Sequence, residues 1–227
     1  AVTKDDYITR VYSLPPKYGN VAKIYMIQDE QVAATGQNES DPTFQPNPLT
    51  LNMYSLGYDN EKKLVNLNNA VKENIKTYLT QYRMMTDAVQ IKDAWVINIG
   101  IQFAIYTKRG INKNEVLLSC VDTLKTYFQT DKWQINQPIV LSDVVSEILK
   151  VEGVATVVEP PGQVGDNKQL ILVSNKTGTQ SGNTYSNNLY DVKGATFNGV
   201  VYPSVDPAIF EIKYPNVDIQ GRVMGDL

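Results

Sequence analysis

The sequence predicts an α+β protein built as two small lobes, each a mixed or antiparallel sheet with packed amphipathic helices. Three observations carry that expectation. Residues 94–107 (AWVINIGIQFAIYT) alternate in strict period two, the signature of a strand. Residues 61–82, and the run from Asn112 to Phe128, place apolar side chains at helical spacing. Strand and helix follow each other twice, over 49–82 and 94–130, which points to one lobe at 1–90 and a second at 91–227.

In chain order, Thr3 is placed to cap a first helix with Asp6 three residues on, and Val2 with Tyr7 supplies a hydrophobic staple. Tyr7, Ile8, Val11 and Tyr12 share one face, and Pro15-Pro16 ends the helix because neither proline donates to the ladder. Gly19-Asn20 turns the chain into a strand over 21–27. Residues 28–48 are polar with three prolines and read as a long exposed loop. A second strand covers 49–58, and the helix over 61–82 carries Leu64, Leu67, Val71, Ile75, Tyr78, Leu79 and Tyr82. In 94–107 the odd positions from Trp95 to Ile105 form the buried face, with Ala94, Asn98, Gly100, Gln102 and Ala104 opposite.

Asn112 opens the next helix and Glu115 completes a capping-box pair, ahead of a stripe of Val116, Leu117, Cys120, Val121, Leu124 and Phe128. A shorter helix over 142–150 buries Val144, Val145, Ile148 and Leu149, with Gly153 as its C-cap. Short strands follow at 154–158 and 169–173. Residues 174–199 are rich in Asn, Ser, Thr and Gly and form a polar excursion from the second lobe. It closes on Asn198-Gly199, a type I′ hairpin signal between Thr196-Phe197 and Val200-Val201. Ile209–Tyr214 alternates as the last strand.

Composition narrows the function. With no histidine and one cysteine, Cys120, the chain has no Ser-His-Asp or Cys-His site, no thiolate metal cluster and no internal disulfide. Phosphate-cradling glycine loops are absent, so no cofactor is expected. The acidic pairs Asp5-Asp6, Asp29-Glu30 and Glu39/Asp41 fall in a first helical turn or a polar loop, where nothing desolvates them. A non-enzyme with no catalytic residue and no metal site is the expectation. Twenty-one basic against 24 acidic residues gives a net charge of -3 without a basic stripe, which argues against nucleic acid. No apolar run reaches the roughly 20 residues that span a bilayer, so no membrane partner is expected.

Fourteen tyrosines stand against five phenylalanines. A flat apolar ring with a polar tip suits protein interfaces. The interface candidates are Phe210, Ile212 and Tyr214 near the terminus, then Tyr185 and Tyr190, which lie in the polar excursion without a core pattern and are expected at the surface. Plain sheet packing is the alternative for the first three.

The order of elements resembles the baseplate J-like family of contractile tails. The opening AVTKDDYITRVYSLPPKYGNVAKIYM, the strand LTLNMYSLG, the stretch AVQIKDAWVINIGIQFAIY and the segment QPIVLSDVVSEILKVEGVATV carry the likeness over about 2–158. The tail FEIKYPNVDIQGRV is similar to the carboxyl end of wedge proteins in T-even-type phage baseplates. The resemblance implies a structural subunit of the virion's tail baseplate, assembled in the host cytoplasm. It implies a homodimer, other baseplate wedge proteins as partners, and a ring of dimers that joins wedges around the hub. Two other readings remain open: a surface-recognition module that binds a carbohydrate or receptor through Tyr185, Asn187, Asn188 and Tyr190, and a carboxylate-only hydrolase.

Overall fold

The computed structural model describes residues 3–28, 50–84, 88–163 and 168–227. The fold is α+β, as expected, and divides into two compact units: Ala1–Val96 with Ser204–Ile209, and Ile97–Pro203 with Phe210–Leu227. The loop expected over 28–48 lies outside the described residues, apart from Gln28.

In the first unit, helix α1 (Lys4–Tyr12) starts where the sequence places it. Thr3 Oγ1 accepts from the Asp6 amide at 3.2 Å while the Asp6 carboxylate accepts from the Thr3 amide at 3.0 Å, a reciprocal capping box. Strand β1 (Lys23–Gln28) runs antiparallel to β2 (Thr50–Tyr58), and β4 (Ala88–Asp93) runs parallel to β2 on its other side. Met26, Met53 and Ile91 are cross-strand partners and so share a face. Tyr7 and Val11 of α1 and Ile75 and Leu79 of α2 (Asn69–Thr80) close over that face.

The helix expected from 61 begins only at Asn69. Asp59 Oδ1 accepts from the amides of Glu61 at 2.8 Å and Lys63 at 2.9 Å, a local turn that places Lys62 at φ 60°. The turn delivers Leu64–Val65, strand β3, to pair with Gly57 and Tyr58, and Asn68 then caps α2. Leu64 and Leu67 are buried without being helical, which is why their spacing misleads.

The second unit is organised on β5 (Trp95–Thr107), whose first two residues belong to the first unit. One edge of β5 takes β8 (Ile171–Asn175) and then β7 (Val154–Val158), both antiparallel. The other edge takes β14 (Ile219–Asp226) in parallel register, and β13 (Ala208–Glu211) also pairs with β5. Helix α3 (Lys113–Tyr127) packs on β14 and on α4 (Leu141–Leu149), which in turn packs on β7. Asn112 caps α3 by accepting from the Asn114 amide at 3.1 Å, so the expected pairing with Glu115 is replaced by a tighter one.

Other expectations are corrected. Leu149 is 48% exposed, because α4 buries the Leu141, Val144 and Ile148 stripe instead. Lys150 is the C-cap; Gly153, at φ 96°, belongs to the turn into β7, where a Cβ would lie 2.6 Å from Val116 Cγ2. The strand expected over 209–214 stops at Glu211, and the single turn α5 (Pro215–Asp218) leads into β14, which the sequence reading does not contain. β5 buries both faces: Asn98 and Ala104 are as covered as Ile99 and Ile101.

Cys120 lies fully inside α3, and burial pushes its thiol up to about 11 from an ordinary 9.0. The folded chain therefore holds this proton more tightly than the unfolded one. The resulting stability is complete below pH 9 and is lost as pH rises toward 11, at about 1.4 kcal/mol per pH unit. A thiol reagent at pH 8 is expected to label the native chain about 100-fold more slowly than the chain in urea, from thiolate fraction alone. Equal rates would contradict this placement.

Candidate functional site

The polar excursion is held by a buried hydrogen-bond hub. Asn98 Nδ2 donates to Glu211 Oε2 at 2.9 Å, and Asn98 Oδ1 accepts from the Ser186 amide at 2.7 Å. The Asn98 carbonyl accepts from the Lys176 amide at 2.8 Å and from Asn175 Nδ2 at 3.1 Å. The polar face of β5 is thus covered by the chain that leaves β8. Strands β9 (Thr179–Gln180) and β10 (Asn183–Thr184) form a first short hairpin there.

The five expected interface residues belong to this anchorage. Phe210 is buried within β13, and Ile212 is buried just beyond the end of that strand. Tyr185, expected at the surface, is 5% exposed. Its hydroxyl donates to Asp218 Oδ1 at 2.6 Å, and burial first, then that carboxylate, raise its pKa. Tyr214 is half-buried: its amide donates to Asp218 Oδ2 at 2.9 Å, its hydroxyl donates to the Thr184 carbonyl at 3.2 Å, and its ring meets Tyr185 edge-on at 5.3 Å. Tyr190, also half-buried, donates through its hydroxyl to the Tyr202 carbonyl and packs its ring beside Phe210. A sugar-stacking platform built on Tyr185 is overturned by the same geometry, since its ring has no open face.

The surface that is offered lies further along the excursion. Strand β11 (Thr196–Phe197) pairs with β12 (Val200–Val201), and β12 pairs with β6 (Ile139–Val140). The turn between β11 and β12 is the Asn198-Gly199 hairpin expected from sequence, with φ of 51° and 76°. The Leu141 amide donates to the Gly199 carbonyl at 2.9 Å, which ties the turn to the start of α4.

Pairing fixes which side chains share a face. Thr196, Val201 and Ile139 form one row, and Val201 and Ile139 are 1% and 0% exposed. Phe197, Val200 and Val140 form the opposite row, so it looks outward, and Phe197 is 67% exposed. Tyr202, in phase with Val200, extends this face and is 49% exposed. Covering a phenylalanine side chain contributes about 1.5–3 kcal/mol, so a rigid ribbon presenting one is suited to association. The sequence reading found the hairpin but missed this face. The phase of TF and VV across the turn sets Phe197 opposite to Val201 but does not record which of the two rows is covered.

Among the described residues, no group of three His, Cys, Asp or Glu side chains is placed to hold a metal ion, and no helix is long and apolar enough to cross a membrane.

No protein-family model matches the chain, and no curated protein does. Among solved structures, the chain is similar to one in the six-fold symmetrised baseplate of the anti-feeding prophage, with a TM-score of 0.50 and 10% identity. The likeness is one of fold. The match covers 93% of this chain and 38% of that one, so the chain spans well under half the length of its structural neighbour.

Proposed function

We propose that this chain is a structural component of a contractile-tail baseplate, acting by association and without bond-making chemistry. What supports the reading most is the likeness of fold to an anti-feeding prophage baseplate chain across 93% of the residues. The outward row of Phe197, Val200 and Val140, with Tyr202 beside it, supplies an apolar contact on a braced ribbon. In the finer reading the chain forms a homodimer, binds neighbouring wedge proteins and joins wedges into a ring around the hub of the virion's tail, after assembly in the host cytoplasm.

Size-exclusion chromatography with light scattering tests this on the chain as it stands. At high micromolar concentration a dimer is expected, and Phe197→Asp is expected to weaken self-association about 30-fold, the effect of a hot-spot side chain. Circular dichroism of the variant should be unchanged, because Phe197 is an exposed residue. A chain that stays monomeric and ignores other baseplate proteins would sink the proposal.

A further inference from the structure

In the first unit, α2 and β4 border a groove of about 480 Å³, lined by Asn69, Lys72, Glu73 and Lys76 from the helix and by the stretch from Val89 to Lys92 on the strand. Among the described residues β4 pairs with β2 alone, and none of them pairs with its far edge. Alternate residues of an edge strand turn both N–H and C=O away from the sheet, and an extended chain can complete that ladder. The charges along the groove are uneven. Lys72 is paired with Asp93 at 2.7 Å; Lys76 neighbours Glu73 on the helix, while Lys92, out of phase with Val89 and Ile91, projects from the opposite face of the strand with its ammonium 5.9 Å from the centre of the Tyr54 ring. A local excess of positive charge in a chain of net charge -3 is a selective feature.

We infer that this groove binds an extended acidic segment of a partner protein as an added strand beside β4. A helix cannot satisfy outward-turned edge amides, so the occupant is extended. Of the two apolar residues that line the groove, Val89 is 8% exposed and Ile91 is partly buried against the same core, so the floor offers only a small apolar area to a partner. An incoming strand meets Lys76 on its helix-facing side and the β4 lysine on the other, which matches acidic residues on both of its faces. The same lysines reject a second copy of β4, which would bring its own Lys92 to a basic edge. The inference is independent of the Phe197 face, which lies in the other unit.

The probe is an acetylated octapeptide of two Thr-Glu-Glu-Thr repeats, titrated into the isotopically labelled full chain and followed by amide NMR. Shifts confined to 69–76 and 88–93 are expected, with slowed exchange of alternate β4 amides. Lys76→Glu combined with Lys92→Glu is expected to weaken binding at least about fivefold, and these exposed substitutions leave the fold intact. A peptide methylated at alternate backbone nitrogens is expected not to bind. Equal binding by that peptide or by a lysine-for-glutamate counterpart would overturn the inference. So would shifts elsewhere, no shifts at millimolar peptide, or β4 shifts that follow protein concentration alone.

Discussion

Asp218→Ala is expected to destabilise the second unit by about 3–5 kcal/mol, read as a fall in the urea midpoint. The carboxylate is 1% exposed and accepts from two donors, the Tyr185 hydroxyl and the Tyr214 amide. Each hydrogen bond to a charged acceptor is worth about 1.5–3 kcal/mol, and truncation strands both donors away from water. Tyr185→Phe removes one donor and leaves the carboxylate with the other, so its expected cost is about 1.5–3 kcal/mol. The two changes share a bond and should not add, which a double-mutant cycle measures. Hydrogen exchange gives an independent reading: amides over 183–190 should lose protection first in either variant, since Tyr185 and Ser186 hold that stretch. A cost below about 1 kcal/mol for Asp218→Ala would mean that this hub does not anchor the excursion.

The same hub marks where sequence reading stops. Local chemistry was legible: the Thr3 and Asp6 box needs only four residues, and the Asn198-Gly199 turn needs two residues that tolerate positive φ. The period-two run of β5 was legible because six apolar side chains fall in phase. Its second buried face was not, because Asn98 is covered by polar partners from residues 175–186 and from Glu211, and no pattern within 94–107 records them. Tyr185 was misplaced for the same reason: a tyrosine among Asn and Ser looks exposed until Asp218, 33 residues on, is brought to it. The helix over 61–82 was half right, since apolar spacing fits both the β3 turn and α2, and the choice is made by Asp59 and Asn68. The α+β class could be read from the order of elements. The Phe197 face could not, since it needs the pairing of β12 with β6 some sixty residues earlier.

β14 was invisible for a further reason. Its partner in the parallel ladder lies 118 residues back, and its apolar alternation is broken by Gly221 and Gly225. Gly221 is there for space, since its φ is not in the left-handed region. A Cβ on it would lie 2.5 Å from Phe103 Cζ and 2.5 Å from Leu117 Cδ1, so α3 approaches β14 across a gap that only glycine leaves. Phe103 is fully buried within β5 and has little room to give, whereas Leu117 is half-buried on α3; overpacking such a site costs about 1–3 kcal/mol, with more for a branched side chain. Gly221→Ala is therefore expected to cost about 2–3 kcal/mol although alanine suits a strand better than glycine, and Gly221→Val is expected to cost more. Gly110→Ala is the informative contrast: φ is 80° there and nothing lies within 4 Å, so only backbone strain of about 1 kcal/mol is expected. Combining Gly221→Ala with Leu117→Ala should recover part of the loss, with a coupling of about 1 kcal/mol or more in a double-mutant cycle. If the two losses simply add, the close approach of α3 to β14 is not what constrains this residue, and the packing of the second unit would have to be redrawn around it.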